Sequence, residues 1–141
     1  MQIRKAFKFE LMPNGTQTRK MKQFCGCARF VFNRALAYQN EQYQQDCSFK
    51  FSYTKIANLL PEWKKELAWL KDCYSQVLQQ SLKDLESAFK NFFAKRADFP
   101  KFKRKGEKDR FRFPQGCKLE QGNARIWLPK IGWVRYRNAV R

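Results

Sequence analysis

Histidine is absent from all 141 residues, which removes the commonest general base and a common zinc ligand. Acidic residues are few as well: twelve Asp and Glu stand against thirty Lys and Arg. The twelve are dispersed, mostly where helix-surface charges belong. A metal-dependent nuclease needs carboxylates converging on one or two cations, and no such set is legible. No metal site and no cofactor are therefore expected. No apolar run approaches the roughly 18 residues of a membrane span, and the first residues, Met1-Gln2-Ile3-Arg4-Lys5, lack the apolar core of a signal peptide. No membrane partner is expected, and the expected location is the cytoplasm. The five cysteines, Cys25, Cys27, Cys47, Cys73 and Cys117, are odd in number and fit a reducing compartment. Cys25-Gly26-Cys27 has one residue between its thiols, unlike the CxxC of a zinc ribbon, so the cysteines read as small core residues.

What the chain has in abundance is positive charge and phenylalanine. The net charge is +18, the pI near 10.1, and 14 residues are Phe. So large an imbalance repels itself in the folded state and calls for a polyanion, with nucleic acid the first candidate. The basic residues are interleaved through several elements rather than laid along one amphipathic membrane anchor. Aromatic content of 16% argues against a disordered tail, and the length suits one domain or two small lobes.

The density peaks between Lys95 and Phe113, where a helical pattern stops and a strand pattern begins. Phe99, Phe102, Phe111 and Phe113 can anchor this segment on a core or stack on bases. Lys101, Lys103, Arg104, Lys105 and Arg110 between them have the composition of a surface that grips phosphates. A solvated basic linker is the competing reading.

Along the chain, Ile3, Phe7, Phe9 and Leu11 alternate with polar residues, which predicts a half-buried strand over 3–11. Pro13-Asn14-Gly15 turns the chain, and Thr16 is the expected N-cap of a long helix from about Gln17 to Tyr43. Its apolar stripe runs through Met21, Phe24, Cys25, Ala28, Phe32, Ala35, Leu36, Gln39 and Tyr43. Arg29 and Arg34 lie off that stripe and can face phosphates or merely solvent. Ser52 caps a short helix stopped by Pro61, another follows over Glu62–Leu70, and Ser75 introduces a second long helix. There Leu78, Leu82, Leu85, Phe89, Phe92 and Phe93 form the stripe, with Gln79 and Lys83 outside it. Exposed Gln reads adenine edges in a major groove, or serves simply as a good helix former. After Pro100, strands are expected over Arg110–Phe113, Lys118–Glu120, Ala124–Leu128 and Trp133–Arg137, separated by turn chemistry. The first strand has no neighbour in sequence, so it is expected to pair with these late strands. The fold class is α+β: a small antiparallel β-barrel or sheet with an inserted α-helical lobe. The boundaries read as 1–13 for the first strand, 14–97 for the helical lobe, and 98–141 for basic linker and remaining strands.

Five strings in register carry a resemblance: Arg4-Lys5-Ala6-Phe7-Lys8-Phe9-Glu10-Leu11-Met12-Pro13, Gly26-Cys27-Ala28-Arg29-Phe30-Val31-Phe32-Asn33, Leu78-Gln79-Gln80-Ser81-Leu82-Lys83-Asp84-Leu85, Phe99-Pro100-Lys101-Phe102-Lys103 and Leu128-Pro129-Lys130-Ile131-Gly132-Trp133-Val134. Together they resemble the amino-terminal part of the TnpB, or OrfB, insertion-sequence family, compact RNA-guided DNA nucleases related to type V CRISPR effectors. This region of the family also goes by the name helix-turn-helix domain of a transposase. The resemblance implies a wedge-like barrel split by a recognition lobe, with guide RNA and target DNA as partners and a nucleoid-associated location. It places Tyr53 and Gln79 at DNA-contacting positions. Ser75 and Pro114 fall where relatives carry other polar contact residues. The family's RuvC-like cutting domain, with its Asp, Glu and Asp metal site and CxxC zinc element, follows the matched region. The chain ends at Arg141, so the expectation is binding without catalysis, the nuclease half being lost or supplied by a separate RuvC-containing chain. A stand-alone DNA-binding regulator and a basic structural RNA-binding protein are the alternatives.

Overall fold

In a computed structural model the described residues are 8–107 and 109–137. Of the expected first strand, Ile3 through Phe7 lie outside them. The chain divides into two compact units: Met1–Met21 with Gln115–Arg141, and Lys22–Pro114.

The first unit is a sheet. Strands β1 (Leu11–Met12), β2 (Lys118–Glu120), β3 (Arg125–Leu128) and β4 (Gly132–Tyr136) are antiparallel in the order β1-β4-β3-β2. The first strand does pair with the last, Leu11 opposite Tyr136 and Met12 opposite Arg135. β3 and β4 form a hairpin in which Trp127 faces Trp133. Among the described residues the sheet is open, with β1 and β2 at its edges, so the closed barrel is not formed by them. The expected strand at Arg110–Phe113 is likewise missing, because both phenylalanines are drawn into an aromatic cluster instead of a ladder. Leu128, Ile131, Val134 and Tyr136 are buried, and the Arg125 guanidinium lies 4.3 Å from the Trp133 ring centre while binding Glu120 at 3.0 Å.

Helix α1 (Gly15–Gln45) begins at this sheet. Its cap is Asn14, not Thr16: Asn14 Oδ1 accepts from the Gln17 N–H at 2.8 Å, and Gln17 Oε1 accepts from the Asn14 N–H at 3.0 Å. That reciprocal pair satisfies two otherwise orphaned donors, a device of about 1 kcal/mol. Gln17 Nε2 also donates to the Trp133 carbonyl at 2.6 Å and Lys20 Nζ to that of Lys130 at 3.1 Å, tying the first turn to the β3–β4 hairpin.

The second unit is helical. α1 buries Phe24, Cys27, Ala28, Val31, Phe32, Ala35, Leu36 and Gln39, alternating steps of three and one. Such a stripe must be covered, and α4 (Ser75–Phe93) covers it with Val77, Leu78, Ser81, Leu82, Leu85 and Phe89. Small residues let the two helices approach, and buried Ser81 donates to the Ala28 carbonyl at 2.6 Å. Tyr43 and Phe93, expected on the stripes, are 53% and 73% exposed. Between the long helices run α2 (Tyr53–Ala57), capped by Ser52 as expected, α3 (Leu60–Glu66) and a 3-10 turn (Ala68–Asp72). Pro61 opens α3 rather than stopping α2, since a first-turn proline forfeits no helical hydrogen bond. α4 ends well before Pro100: Lys95 takes a left-handed conformation (φ 61°), and the Arg96 N–H reaches back to the Asn91 carbonyl. Of the cysteines, Cys27 and Cys73 are core residues, Cys25 is half-buried, and Cys47 and Cys117 are exposed. No helix among the described residues is long and apolar enough to cross a membrane.

Candidate nucleic-acid interface

Helical spacing of four aligns Ser75, Gln79 and Lys83 along one side of α4, opposite the buried stripe. All three are exposed. The α2 N-terminus adds Tyr53, whose half-buried ring has the Lys83 ammonium 5.6 Å from its centre. At the other end Lys64 Nζ donates to Ser75 Oγ at 3.2 Å. Tyr53, Ser75, Gln79 and Lys83 are thus gathered into one strip. It offers an aromatic face, an amide, a hydroxyl and two ammonium groups. Such a set can hydrogen-bond base edges and neutralise phosphates together.

Arg29 and Arg34 project from α1 into a shallow groove of about 510 Å³, shared with Gly26, Asn33 and Trp69. Neither guanidinium is free. Arg29 pairs with Asp109 at 3.3 Å, while Arg34 pairs with Glu66 at 2.7 Å and lies 5.0 Å from the Trp63 ring centre. Exposed pairs of this kind are worth about 0–1 kcal/mol, so a phosphate can displace the carboxylates at little cost.

The basic segment is fixed by a residue that sequence reasoning passed over. Asn33 on α1 holds the backbone of Lys103 at two points: its Nδ2 donates to the Lys103 carbonyl at 2.9 Å, and its Oδ1 accepts the Lys103 N–H at 2.7 Å. Lys103 itself differs from its neighbours, because its ammonium is half-buried 4.5 Å from the Phe32 ring centre. Burial pushes its pKa below the usual lysine value, Arg110 lowers it further, and Asp84 acts in the opposite direction. Lys101, Arg104, Lys105 and Arg110 are exposed, and no ion pair joins them to a carboxylate among the described residues. Asp109 shapes the tip by accepting the Gly106 N–H at 3.2 Å, where Gly106 takes φ 85°.

Three of the segment's four phenylalanines are anchors. Phe111 and Phe113 meet Phe24 edge-on at 5.6 and 6.3 Å, and Phe99 meets Phe89 and Phe92. Phe102 remains 53% exposed. Asp84, which receives both Arg112 at 2.8 Å and Gln80 at 3.1 Å, was also illegible as a structural residue. Its Arg112 partner lies 28 positions away, and no local pattern announces it. Among the described residues no group of three His, Cys, Asp or Glu could hold a metal ion.

Comparison with known proteins adds the ancestry of this arrangement. The helix-turn-helix domain family of the IS605 OrfB proteins matches residues 1–47. Within that stretch the described structure is β1 followed by one unbroken helix, α1. The chain is 59% identical over 136 residues to "Putative RNA-guided DNA endonuclease InsQ" of Escherichia coli K12, a match covering 95% of this chain and 34% of that protein. It is 38% identical over 104 residues to "Putative RNA-guided DNA endonuclease" of Streptomyces pristinaespiralis, covering 72% of this chain and 26% of that one. A third relative, "Virulence protein VsdF" of Salmonella dublin, is 32% identical over 111 residues, a match covering 72% of this chain and 93% of that protein. The chain spans about a third or less of the two endonuclease relatives and nearly all of VsdF. It belongs to the TnpB/OrfB family of insertion-sequence proteins.

Proposed function

We propose that this chain is a nucleic-acid-recognition portion of a TnpB-like protein, holding guide RNA and target DNA without itself cutting. The observation that carries the reading is the exposed Ser75–Gln79–Lys83 strip with Tyr53 seated against Lys83. In this reading the strip contacts target DNA, with Gln79 at a base edge and Lys83 at a phosphate. Arg29, Arg34, Lys101, Arg104, Lys105 and Arg110 neutralise backbone phosphates, and Lys103 pins the segment. The sheet and the inserted helical lobe then act as support and reader. The names of the two endonuclease relatives support RNA guidance and a DNA target. Cleavage, on this view, resides in the part of those relatives beyond the match, or in a separate RuvC-containing chain. The site of action is the nucleoid.

VsdF supports a second reading, since the match leaves little of it uncovered. That reading is a stand-alone DNA-binding regulator, independent of RNA.

Selection of preferred duplexes from a randomised pool tests both. Gln79→Ala is expected to lower discrimination at one base position about tenfold with an unchanged salt slope, since a base-edge contact carries about 1–3 kcal/mol of selectivity. Lys83→Gln is expected to weaken all sequences alike and reduce the slope by roughly 0.9. Discrimination and slope both untouched by these changes would remove the strip from the interface. Selectivity that vanishes after ribonuclease treatment favours the guided reading, and selectivity that survives it favours the regulator.

A further inference from the structure

Beyond the α4 strip, toward the C-terminal ends of α1 and α4, lies a cleft of about 820 Å³. Aromatic rings dominate its lining. Phe51 stacks on Phe89 with ring centres 5.2 Å apart, Phe99 meets Phe89 edge-on at 5.6 Å, and Phe93 and Tyr43 stand 73% and 53% exposed at its mouth. Leaving large rings in water is unfavourable, and exposed aromatics of this kind mark places where something else binds.

One wall is not apolar. Gln39 is only 6% exposed, yet it lines the cleft and its Oε1 has no hydrogen-bond partner among the described residues. A buried, unmet acceptor destabilises the fold unless a donor arrives from outside. Lys50 and Lys90 stand exposed among the lining residues, the latter 3.7 Å from Glu86. Planar stacking surfaces, one inward-facing amide and flanking ammonium groups are the parts that hold a base splayed out of a single strand.

We propose that this cleft receives one unpaired nucleobase of single-stranded nucleic acid, adenine being the best match. A glutamine amide can accept from adenine's N6 amino group and donate to N7, and although the free edge of uracil also offers a donor beside an acceptor, the two-ring purine stacks over a larger area. Phe93 supplies a stacking face, and Lys50 and Lys90 attract the flanking phosphates. The site rests on the nucleic-acid reading above but is separate from the residues that reading uses. It would let the protein recognise an unpaired position in a folded RNA rather than the backbone alone.

Fluorescence anisotropy of the full chain with 12-nucleotide oligo(rA) and oligo(rU) at fixed salt tests the assignment. Oligo(rA) is expected to bind about tenfold more tightly. Phe93→Ala, a change at an exposed side chain, is expected to weaken oligo(rA) about tenfold and leave the salt slope unchanged. Gln39→Leu keeps the volume and removes the base-edge contact, so it should weaken oligo(rA) with an unchanged salt slope. Equal affinities in the unmodified protein, or indifference of oligo(rA) to Phe93→Ala, would overturn the proposal while strong salt-dependent binding left the function standing. Failure of both oligonucleotides to bind would remove both. A change of oligomeric state in Phe93→Ala with nucleic-acid binding intact would identify the cleft as a protein-docking face and likewise overturn it.

Discussion

Replacing Lys101, Arg104, Lys105 and Arg110 together with glutamine is expected to cut the salt dependence of nucleic-acid binding by roughly 3 units in the log–log slope, at about 0.7–0.9 for each phosphate no longer neutralised. Between 50 and 200 mM salt the unmodified protein should then lose roughly a hundredfold more affinity than the variant does. The reason lies in what these side chains lack. They are exposed, and no carboxylate is ion-paired with them among the described residues, whereas Arg29, Arg34, Arg112 and Arg125 each already have one. Cations without internal partners keep their counterions until a polyanion displaces them, and that release is what the slope measures. The fold should tolerate the change, because surface substitutions away from buried features usually shift stability by about 0.5 kcal/mol or less. Lys103 stays in place in this variant. Its stem and ammonium lie against Phe32, so its loss would mix packing with charge. A slope unchanged in titrations of the fourfold variant would place the phosphates elsewhere.

Asn33→Ala is expected to disable the same segment without touching its charge. Two partly buried hydrogen bonds to Lys103 disappear, and the Lys103 N–H and carbonyl lose the partner that α1 gave them. At roughly 1 kcal/mol per bond, plus the desolvation penalty of any group left unmet, stability should fall by about 1–3 kcal/mol. Local effects should exceed global ones. Hydrogen exchange at the Lys103 amide is expected to accelerate strongly while amides along the α1 and α4 stripes change little. Affinity should fall although the net charge is unaltered, since four cations on a released segment must be ordered again on binding. Asn33→Asp would keep only the acceptor and recover the Lys103 N–H bond. Uniform acceleration of exchange across both helices, or affinity equal to that of the unmodified protein, would show that the clamp does not position the segment.

The parts of this architecture that could be read from sequence are those set by local period. α1 and α4 announced themselves through apolar residues three and four apart, and the β2, β3 and β4 ladders through short runs between turn residues. The pairing of the first strand with the last followed from elimination, as no other partner was adjacent. Misreadings have specific causes. Thr16 and Asn14 are both good caps, and only the reciprocal bond from Gln17 decides between them. Phe111 and Phe113 alternate like a strand, but their rings are better buried against Phe24 than ladder hydrogen bonds would leave them. Tyr43 and Phe93 continue their helices' stripes past the point where the opposite helix covers them, and that overhang makes the aromatic cleft. The Asn33 clamp and the Asp84–Arg112 pair join residues 70 and 28 positions apart, distances at which no periodicity can speak. As for the candidate interface, spacing alone placed Gln79 and Lys83 on one side of a helix. The seating of Lys83 against Tyr53 needed the fold.

The most direct measurement is ultraviolet cross-linking of the protein to bound nucleic acid, with adduct sites assigned by mass spectrometry. Adducts are expected at Tyr53, along Ser75 to Lys83 and between Lys101 and Arg110. Adducts confined to the sheet residues 118–136, or scattered evenly over the basic side chains, would contradict the proposed interface.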